Sequence, residues 1–192
     1  MMERAAQGAS RFKARIAGAF YLLNILAGAL ALFVSGILSY AAILVAALCY
    51  VVVTLLFYGI FKPVNRSLSL LAAIFSLVGC AISALSPLHL VPAPINPLVF
   101  FGFYCLLIGY LIFRSTFLPR ILGALMAIGG LGWLTFLSPS LANSLSPYNL
   151  APGILGEGAL TLWLLVMGVN VERWNQQASA AVHKSAPAGL QH

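Results

Sequence analysis

The sequence is built from long apolar runs that alternate with short polar breaks. A helix needs about 20 mainly apolar residues to cross roughly 30 Å of hydrocarbon, and six of the runs are about that long. The pattern therefore predicts an all-α, polytopic membrane helix bundle with six transmembrane helices. The predicted spans cover residues 16–36, 40–61, 68–88, 97–113, 119–138 and 149–171.

The break between the first two spans is the least distinct. Apolar sequence continues almost without interruption from Ile16 to Phe61. A single helix over this stretch would be about 69 Å long at 1.5 Å per residue, more than twice the hydrocarbon thickness. The chain must therefore fold back, and the segment from Ser35-Gly36 to Ser39 has the residues that favour a turn.

Composition supports an integral membrane protein. Of the 192 residues, 62% are hydrophobic and only 7% are charged, whereas soluble domains carry about 25% charged residues. The net charge of +7 does not indicate nucleic-acid binding, because the ten Lys and Arg residues occur in short clusters between apolar runs and form no continuous basic face. We therefore predict membrane lipids, and no nucleic acid, as partners.

The cations occur only at alternate ends of the predicted spans. They lie before the first span, between the second and third, between the fourth and fifth, and after the sixth. The other connections, near residues 36–39, 88–97 and 138–149, contain no Lys or Arg. Because Lys and Arg are retained in the cytoplasm, both termini are predicted to be cytoplasmic. The predicted location of the bundle is the cytoplasmic (inner) membrane of a bacterial cell.

This topology divides the chain into three parts. Residues 1–15 are predicted to form a basic cytoplasmic segment, and residues 16–172 the six-helix transmembrane domain. Residues 173–192 contain too little apolar sequence to form a core. They are predicted to form a disordered cytoplasmic tail.

Three stretches of the chain carry a family resemblance. They are FKPVNRSLSLLAAIF at residues 61–75, FFGFYCLLIGYLIFRSTFLPRILGAL at 100–125 and GEGALTLWLLVMGV at 156–169. In these stretches the chain resembles a family of small bacterial membrane proteins known as domain of unknown function 4386. The resemblance implies a multi-pass membrane protein with no assigned activity. The chain departs from the family at Tyr104, where many members carry a histidine.

Glu157 is the one acidic residue inside a predicted span, since Glu3 and Glu172 lie near the chain ends. It lies eight residues into the sixth span, about 12 Å below the outer boundary. An ionised carboxylate at this depth is costly, and ionisable residues inside membranes usually face a bundle interior or a water-filled cavity. The position favours either a ligand-binding carboxyl or a structural hydrogen bond between helices.

Two further polar side chains are candidates for the same ligand site. Tyr104 lies about 10 Å below the outer boundary, so we expect a hydrogen bond between Tyr104 and Glu157. Asn24 lies about 12 Å from the opposite face and needs a bridging ligand or water to reach the carboxyl. The candidate ligand-binding residues are therefore Glu157, Tyr104 and Asn24.

No catalytic residues, metal site or cofactor are predicted. Cys49, Cys80 and Cys105 lie about 12–14 Å from the outer face, level with Glu157. They lack a local ligand spacing such as C-x-x-C, and a free cysteine commonly acts as a small buried hydrophobe. The sequence also contains no nucleophile elbow and no Gly-rich phosphate loop. Enzymatic activity is therefore disfavoured, although the sequence leaves it open.

Four cations lie at predicted cytoplasmic helix ends, near Pro63 and Pro119. Proline suits the first turn of a helix, and helix N-termini favour anions. These cations are candidates for contact with lipid phosphate or another anion, with topology and interfacial anchoring as the alternative role. They are Lys62, Arg66, Arg114 and Arg120.

A ridge of small residues marks the fifth span. Gly123, Ala127 and Gly130 lie at spacings that place small side chains along one side of a helix, where they let membrane helices approach closely. The ridge is predicted to support packing inside the bundle or, alternatively, contact with a second copy in a homodimer.

Three functions remain open from the sequence. The first is binding or transport of a small or lipophilic ligand in an intramembrane cavity near Glu157. The second is a non-catalytic scaffold or sensor subunit that acts through helix contacts, and the third is an intramembrane enzyme. The enzyme is disfavoured because catalysis needs a second polar group beside Glu157, and the spans contain little His, Asp or Lys.

Overall fold

The structure, a computed structural model, describes residues 2–92 and 95–185, with side chains described for 11–92 and 95–181. All regular structure in these ranges is helical, as predicted. Single turns of 3-10 helix occur at Ser86–Leu88 and Thr135–Leu137. The α-helices of the described ranges are α1 (Met2–Phe33), α2 (Gly36–Phe61), α3 (Arg66–Leu85), α4 (Pro97–Arg114), α5 (Arg120–Leu134), α6 (Pro139–Leu145), α7 (Leu150–Val166) and α8 (Val171–Ser185).

Helices α1 to α4, the first of them from Arg11 onward, and α5 together with the 3-10 turn that follows it to Leu137 are each long and apolar enough to cross a membrane. The pair α6 and α7 adds a sixth candidate when its two helices are counted as one bent span. On its own α7 has 17 residues and is about 25 Å long. The prediction of an all-α, polytopic membrane bundle is therefore confirmed, with five or six spans in the described residues.

The turn between α1 and α2 is tighter than predicted. Only Val34 and Ser35 separate the helices, and α2 begins at Gly36, so the loop predicted at residues 36–39 is wrong. Gly36 has a φ of 63°, in the left-handed region that glycine adopts without a side-chain clash. The Ser39 hydroxyl donates to the Ala31 carbonyl at 3.0 Å, which satisfies one of the last carbonyls of α1.

The sixth predicted span, residues 149–171, is also shorter than expected. α7 ends at Val166, and Gly168 then turns the chain with a φ of 69°. The preceding connection, predicted to be a loop, contains α6, which is bent by 80° from α7. Asn149 stabilises this corner, because its side-chain amide donates to Thr135 Oγ1 at 3.2 Å.

Helix α8 contradicts the predicted disordered tail. Residues 173–185 belong to this helix, whereas residues 186–192 lie outside the described residues. The Trp174 indole donates to the Ile60 carbonyl of α2 at 2.9 Å. Gln177 Oε1 accepts from the Thr116 amide and hydroxyl, between α4 and α5, both at 3.2 Å. α8 forms despite its low apolar content because it binds polar groups at the ends of other helices.

These contacts gather the cation-bearing connections at one end of the bundle. The Arg15 guanidinium of α1 donates to the Val166 carbonyl at the end of α7, at 3.2 Å. Through Trp174 and Gln177, α8 is joined to the end of α2 and to the connection between α4 and α5. We call this region, which contains residues 11–15, 62–66, 114–120 and 166–177, the basic end.

A close backbone seam joins α4 to α5. A Cβ added at Gly109 would lie 2.8 Å from the Gly123 carbonyl oxygen, and one added at Gly123 would lie 2.8 Å from the Gly109 carbonyl oxygen. Gly102 and Gly130 make a second contact of this kind, seven residues along each helix. Such close approach strengthens van der Waals packing between membrane helices, and it holds α4 and α5 in fixed register.

Candidate functional site

Glu157 lies on the buried face of α7, with 9% of its surface exposed. Ile154, Leu155 and Leu162, on the other face of this helix, are exposed large hydrophobic residues, as expected for contact with lipid. Glu157 therefore points into the bundle, which is the usual orientation for an ionisable residue within a membrane. The buried residues of α7 are Gly153, Gly156, Glu157, Leu160, Thr161 and Leu164.

One carboxyl oxygen of Glu157 accepts hydrogen bonds from two neighbouring helices. Trp133, at the end of α5, donates its indole N–H to Oε1 at 3.0 Å. Cys105, in the middle of α4, donates its thiol to the same oxygen at 3.4 Å. The hydroxyl of Tyr21, from α1, also lies beside this carboxyl. The carboxyl of α7 is therefore hydrogen-bonded to α4 and α5.

The predicted hydrogen bond between Tyr104 and Glu157 is wrong. Tyr104 is buried in α4, but its hydroxyl has no hydrogen-bond partner within the described residues. Consecutive helical residues point about 100° apart, so Tyr104 and Cys105 cannot both point at the carboxyl from the same depth. Cys105 takes the position that was expected for Tyr104.

Gly153 provides the space that Trp133 occupies. A Cβ added at Gly153 would overlap the Cε2, Cζ2 and Nε1 atoms of the Trp133 indole. Gly153 lies one helical turn before Glu157 on the same face of α7. The missing side chain therefore lets the indole lie flat against α7 and donate to the carboxyl at the next turn.

Three buried tyrosines form an aromatic wall beside the carboxyl. The hydroxyls of Tyr21 and Tyr50 share a hydrogen bond at 3.3 Å, and their ring centroids are 5.3 Å apart in an edge-on arrangement. The ring centroids of Tyr50 and Tyr104 are 5.6 Å apart. Edge-on aromatic pairs of this kind are favourable beyond their area burial. We call the following residues the Glu157 cluster: Tyr21, Tyr50, Tyr104, Cys105, Trp133 and Glu157.

Two buried hydroxyls at this level of the bundle lack a hydrogen-bond partner. They are Tyr104 Oη and Thr161 Oγ1, and no other buried side-chain nitrogen or oxygen among the described residues is without one. Thr161 lies one turn beyond Glu157 on the buried face of α7. An unsatisfied buried group costs about 1–3 kcal/mol, so both hydroxyls are available to an additional polar partner.

The remaining polar candidates lie apart from the carboxyl. Asn24 is half-buried on α1, and no described side-chain hydrogen bond joins it to the Glu157 cluster. Cys49, Cys80 and Cys105 are buried free thiols. Within residues 2–92 and 95–185, no three His, Cys, Asp or Glu side chains lie close enough together to hold a metal ion.

Two described surface cavities lie at the basic end. One contains Lys13, Val169 and Trp174 in its lining, and the other is lined by residues 116, 173, 176 and 177. Neither borders Glu157, so the intramembrane cavity predicted there is not one of these two. The carboxyl is instead surrounded closely by side chains of α1, α4 and α5.

The predicted anion-contacting cations are solvent- or lipid-accessible side chains at the basic end. All four of these side chains are exposed, and none forms an ion pair among the described residues. Asn65 caps α3 beside them, because its side chain accepts from the Leu68 amide at 3.0 Å. The four residues are Lys62, Arg66, Arg114 and Arg120.

The small-residue ridge of α5 faces α4. Gly123 and Gly130 contact the glycines of the α4 seam, and a Cβ added at Gly109 would lie 3.1 Å from the Ala127 amide nitrogen. The ridge is thus occupied within one chain. Of the two roles left open by the sequence, this placement favours packing inside the bundle.

The sequence pattern did not indicate four members of the Glu157 cluster. Cys105 carried the only usable signal, because its depth in the fourth span matches that of Glu157. Tyr21, Tyr50 and Trp133 are aromatic residues in apolar runs, where nothing distinguishes a carboxyl partner from an ordinary core residue. To identify them, one must know how each helix is rotated about its own axis. The position of a residue along its span gives only its depth in the membrane.

The fold and the buried carboxyl define a small multi-pass helical membrane protein. Comparison with known families identifies it further. The family described as Domain of unknown function (DUF4386) matches residues 32–95 and 93–168, and the chain therefore belongs to this family.

An archaeal relative supports the assignment. An "Uncharacterized protein" of Archaeoglobus fulgidus is 32% identical over 127 residues, which cover 62% of this chain and 76% of the relative. No solved structure matches the chain. The relative is archaeal, so a bacterial source for this chain stays a prediction.

Proposed function

We propose that this membrane protein binds a small, mainly apolar ligand whose polar group reaches the carboxyl of Glu157. The observation that carries the proposal is the pair of buried hydroxyls without partners, Tyr104 Oη and Thr161 Oγ1, at the level of a buried carboxyl. Buried polar groups in folded proteins are nearly always hydrogen-bonded. A ligand hydroxyl, amine or carbonyl supplies the missing partner.

The surroundings of the carboxyl suit a ligand of this kind. The rings of Tyr21, Tyr50 and Tyr104 offer apolar walls, and ligand sites typically combine such walls with a few placed polar groups. Because the carboxyl is closely surrounded, binding requires local rearrangement of side chains. We therefore propose binding, and we do not propose a transport path.

The proposal is tested on the full chain purified from membranes in a mild detergent. Native mass spectrometry should detect a retained small molecule on the wild-type protein. Glu157→Gln should lose it, while Gly158→Ala should keep it, because a Cβ at Gly158 meets nothing within 4 Å. Equal adduct masses on wild type and Glu157→Gln, or no adduct on any of them, would refute the proposal.

A second pair of variants separates ligand binding from a purely structural role. Tyr104→Phe and Thr161→Val each remove a hydroxyl that has no protein partner. Without ligand, both variants should be as stable as wild type or more stable, because an unsatisfied buried group is removed. With ligand, both should lose part of the thermal stabilisation that the ligand confers. If the ligand stabilises both variants as much as wild type, the two hydroxyls do not bind it.

We also propose that the basic end faces the cytoplasm and that both termini lie there. The clustering of Lys and Arg at one end of the bundle supports this orientation. Arg66→Cys in a variant lacking the three native cysteines should react with a membrane-impermeant thiol reagent only after the cells are opened. Reaction at Arg66→Cys in intact cells would show that the protein has the opposite orientation.

A further inference from the structure

One cavity at the basic end lies away from the Glu157 cluster. It measures about 180 Å³ and lies between α1, α2 and α8. The α2 wall is mainly apolar, and the other sides carry Lys13, Val169 and Trp174. Neither the resemblance to known families nor the carboxyl site accounts for a partly enclosed, apolar cavity at this position. The residues of the α2 wall are Leu55, Leu56, Gly59 and Ile60.

Gly59 creates much of the open space. A Cβ added at Gly59 would meet no atom within 4 Å, so no neighbouring side chain fills the position that a larger residue would occupy. Leu55, one turn earlier on α2, is exposed beside it. A flexible apolar chain can therefore lie along α2 at this point without displacing a protein side chain.

Trp174 fixes the opposite wall at the depth of the membrane interface. Its indole donates to the Ile60 carbonyl at 2.9 Å, which ties α8 to the end of α2. Tryptophan is enriched at the level of the lipid headgroups. With Trp174 at headgroup level, a lipid at this cavity would have its headgroup outside and the first part of its acyl chains inside.

The charge at the rim is positive. Lys13 lines the cavity, is exposed, and forms no ion pair with any described acidic side chain. Glu172, the acidic residue of α8, is exposed and likewise makes no described ion pair. A cation next to an apolar cavity at headgroup depth complements a lipid that combines an acyl chain with a net negative headgroup.

We propose that this cavity binds an anionic phospholipid, with part of one acyl chain between α2 and α8 and the phosphate at Lys13. The apolar walls disfavour a free inorganic anion as the occupant. The lack of a paired acidic residue at the rim disfavours a zwitterionic lipid, whose headgroup cation would lie near Lys13. The site is independent of the Glu157 cluster.

The experiment titrates the delipidated full chain, in detergent, with phosphatidylglycerol or phosphatidylcholine of identical acyl chains, and counts bound lipids by native mass spectrometry. Wild type should bind its first phosphatidylglycerol about fivefold more tightly than phosphatidylcholine, the effect expected of one basic residue near an anionic headgroup. Lys13→Gln, a change at an exposed position, should abolish this preference. Arg173→Gln, at the same end but outside the cavity lining, should retain it.

The acyl chain is tested with matched glycine variants. Gly59→Leu should weaken binding of both lipids, because leucine fills the cavity. Gly28→Leu should not, although a Cβ added at Gly28 also meets nothing within 4 Å. The proposal is overturned if Lys13→Gln keeps the preference, if Arg173→Gln loses it equally, or if Gly28→Leu weakens binding as much as Gly59→Leu. Displacement of phosphatidylglycerol by inorganic phosphate would also overturn it, since the site would then recognise phosphate alone.

Discussion

Replacing Gly153 with alanine tests the geometry of the Glu157 cluster directly. The added methyl group would overlap the Trp133 indole, so the ring must move away from α7. Overpacking of this kind costs about 1–3 kcal/mol. Moving the ring also breaks its hydrogen bond to Glu157, and interhelical hydrogen bonds in membranes contribute about 0.6 kcal/mol on average.

Helix propensity acts in the opposite direction, and a control removes it. Alanine favours a helix over glycine by about 1 kcal/mol, and this gain applies equally to Gly158→Ala, where the added Cβ meets nothing within 4 Å. The propensity gain cancels when the two variants are compared. We therefore expect Gly153→Ala to be less stable than Gly158→Ala by about 1.6–3.6 kcal/mol, the sum of the overpacking and hydrogen-bond terms.

The assay is reversible unfolding in mixed micelles of SDS and a mild detergent, followed by far-UV circular dichroism. The near-UV signal of tryptophan should also change in Gly153→Ala and not in Gly158→Ala. A double-mutant cycle with Trp133→Phe should show strong coupling, because the smaller ring relieves the overlap. Equal unfolding midpoints and unchanged near-UV spectra for the two alanine variants would mean that Trp133 does not lie over Gly153.

Three further results are expected. Gly123→Leu should destabilise the monomer by about 1–3 kcal/mol through overpacking of the α4–α5 seam, whereas Gly28→Leu should not. Equal unfolding midpoints for the two variants would show that α4 and α5 do not pack closely at Gly123. Thr54→Val should lower the free energy of unfolding by about 0.6–1.7 kcal/mol, because it removes the hydrogen bond between Thr54 and Ser76 that joins α2 to α3. The double variant with Ser76→Ala should be only slightly less stable than Thr54→Val alone. Trp174→Phe should speed hydrogen exchange in α8 while leaving exchange in α4 unchanged, and unaltered α8 exchange would show that the bond to Ile60 does not hold this helix.

The membrane spans were predictable because hydrocarbon thickness and backbone hydrogen bonding restrict the sequence strongly. The exact ends of the helices were harder to predict. Gly36 and Gly168 adopt positive φ angles that determine where α2 begins and where the chain turns after α7. Many glycines occur in this sequence, and the apolar pattern does not distinguish those that turn the chain from those that pack against a neighbouring helix.

Helix α8 was missed for a different reason. Its sequence is polar on average, which is the usual composition of a disordered segment. Its contacts are instead hydrogen bonds from Trp174, Arg173 and Gln177 to backbone groups at the ends of other helices. Such partners exist only after the bundle has formed, so the local sequence does not reveal them.

The Glu157 site shows how far depth alone carries a prediction. The buried carboxyl was identified because it is a charge in an apolar span, and Cys105 was recognised at the same depth. The choice between Tyr104 and Cys105 as its partner depended on the rotation of α4, which the glycine seam with α5 fixes. Trp133 depends further on Gly153, a residue of another helix.

The position of α8 along the chain has a consequence for biosynthesis. The spans of α1 to α5 can enter the membrane as they leave the ribosome, but the end of α2 and the connection between α4 and α5 find their hydrogen-bond partners only when residues 173–177 have been made. The cation-bearing end of the bundle therefore lacks these hydrogen bonds until α8 has been synthesised. A chain interrupted before α8 would leave the Ile60 carbonyl and the Thr116 amide and hydroxyl without these partners.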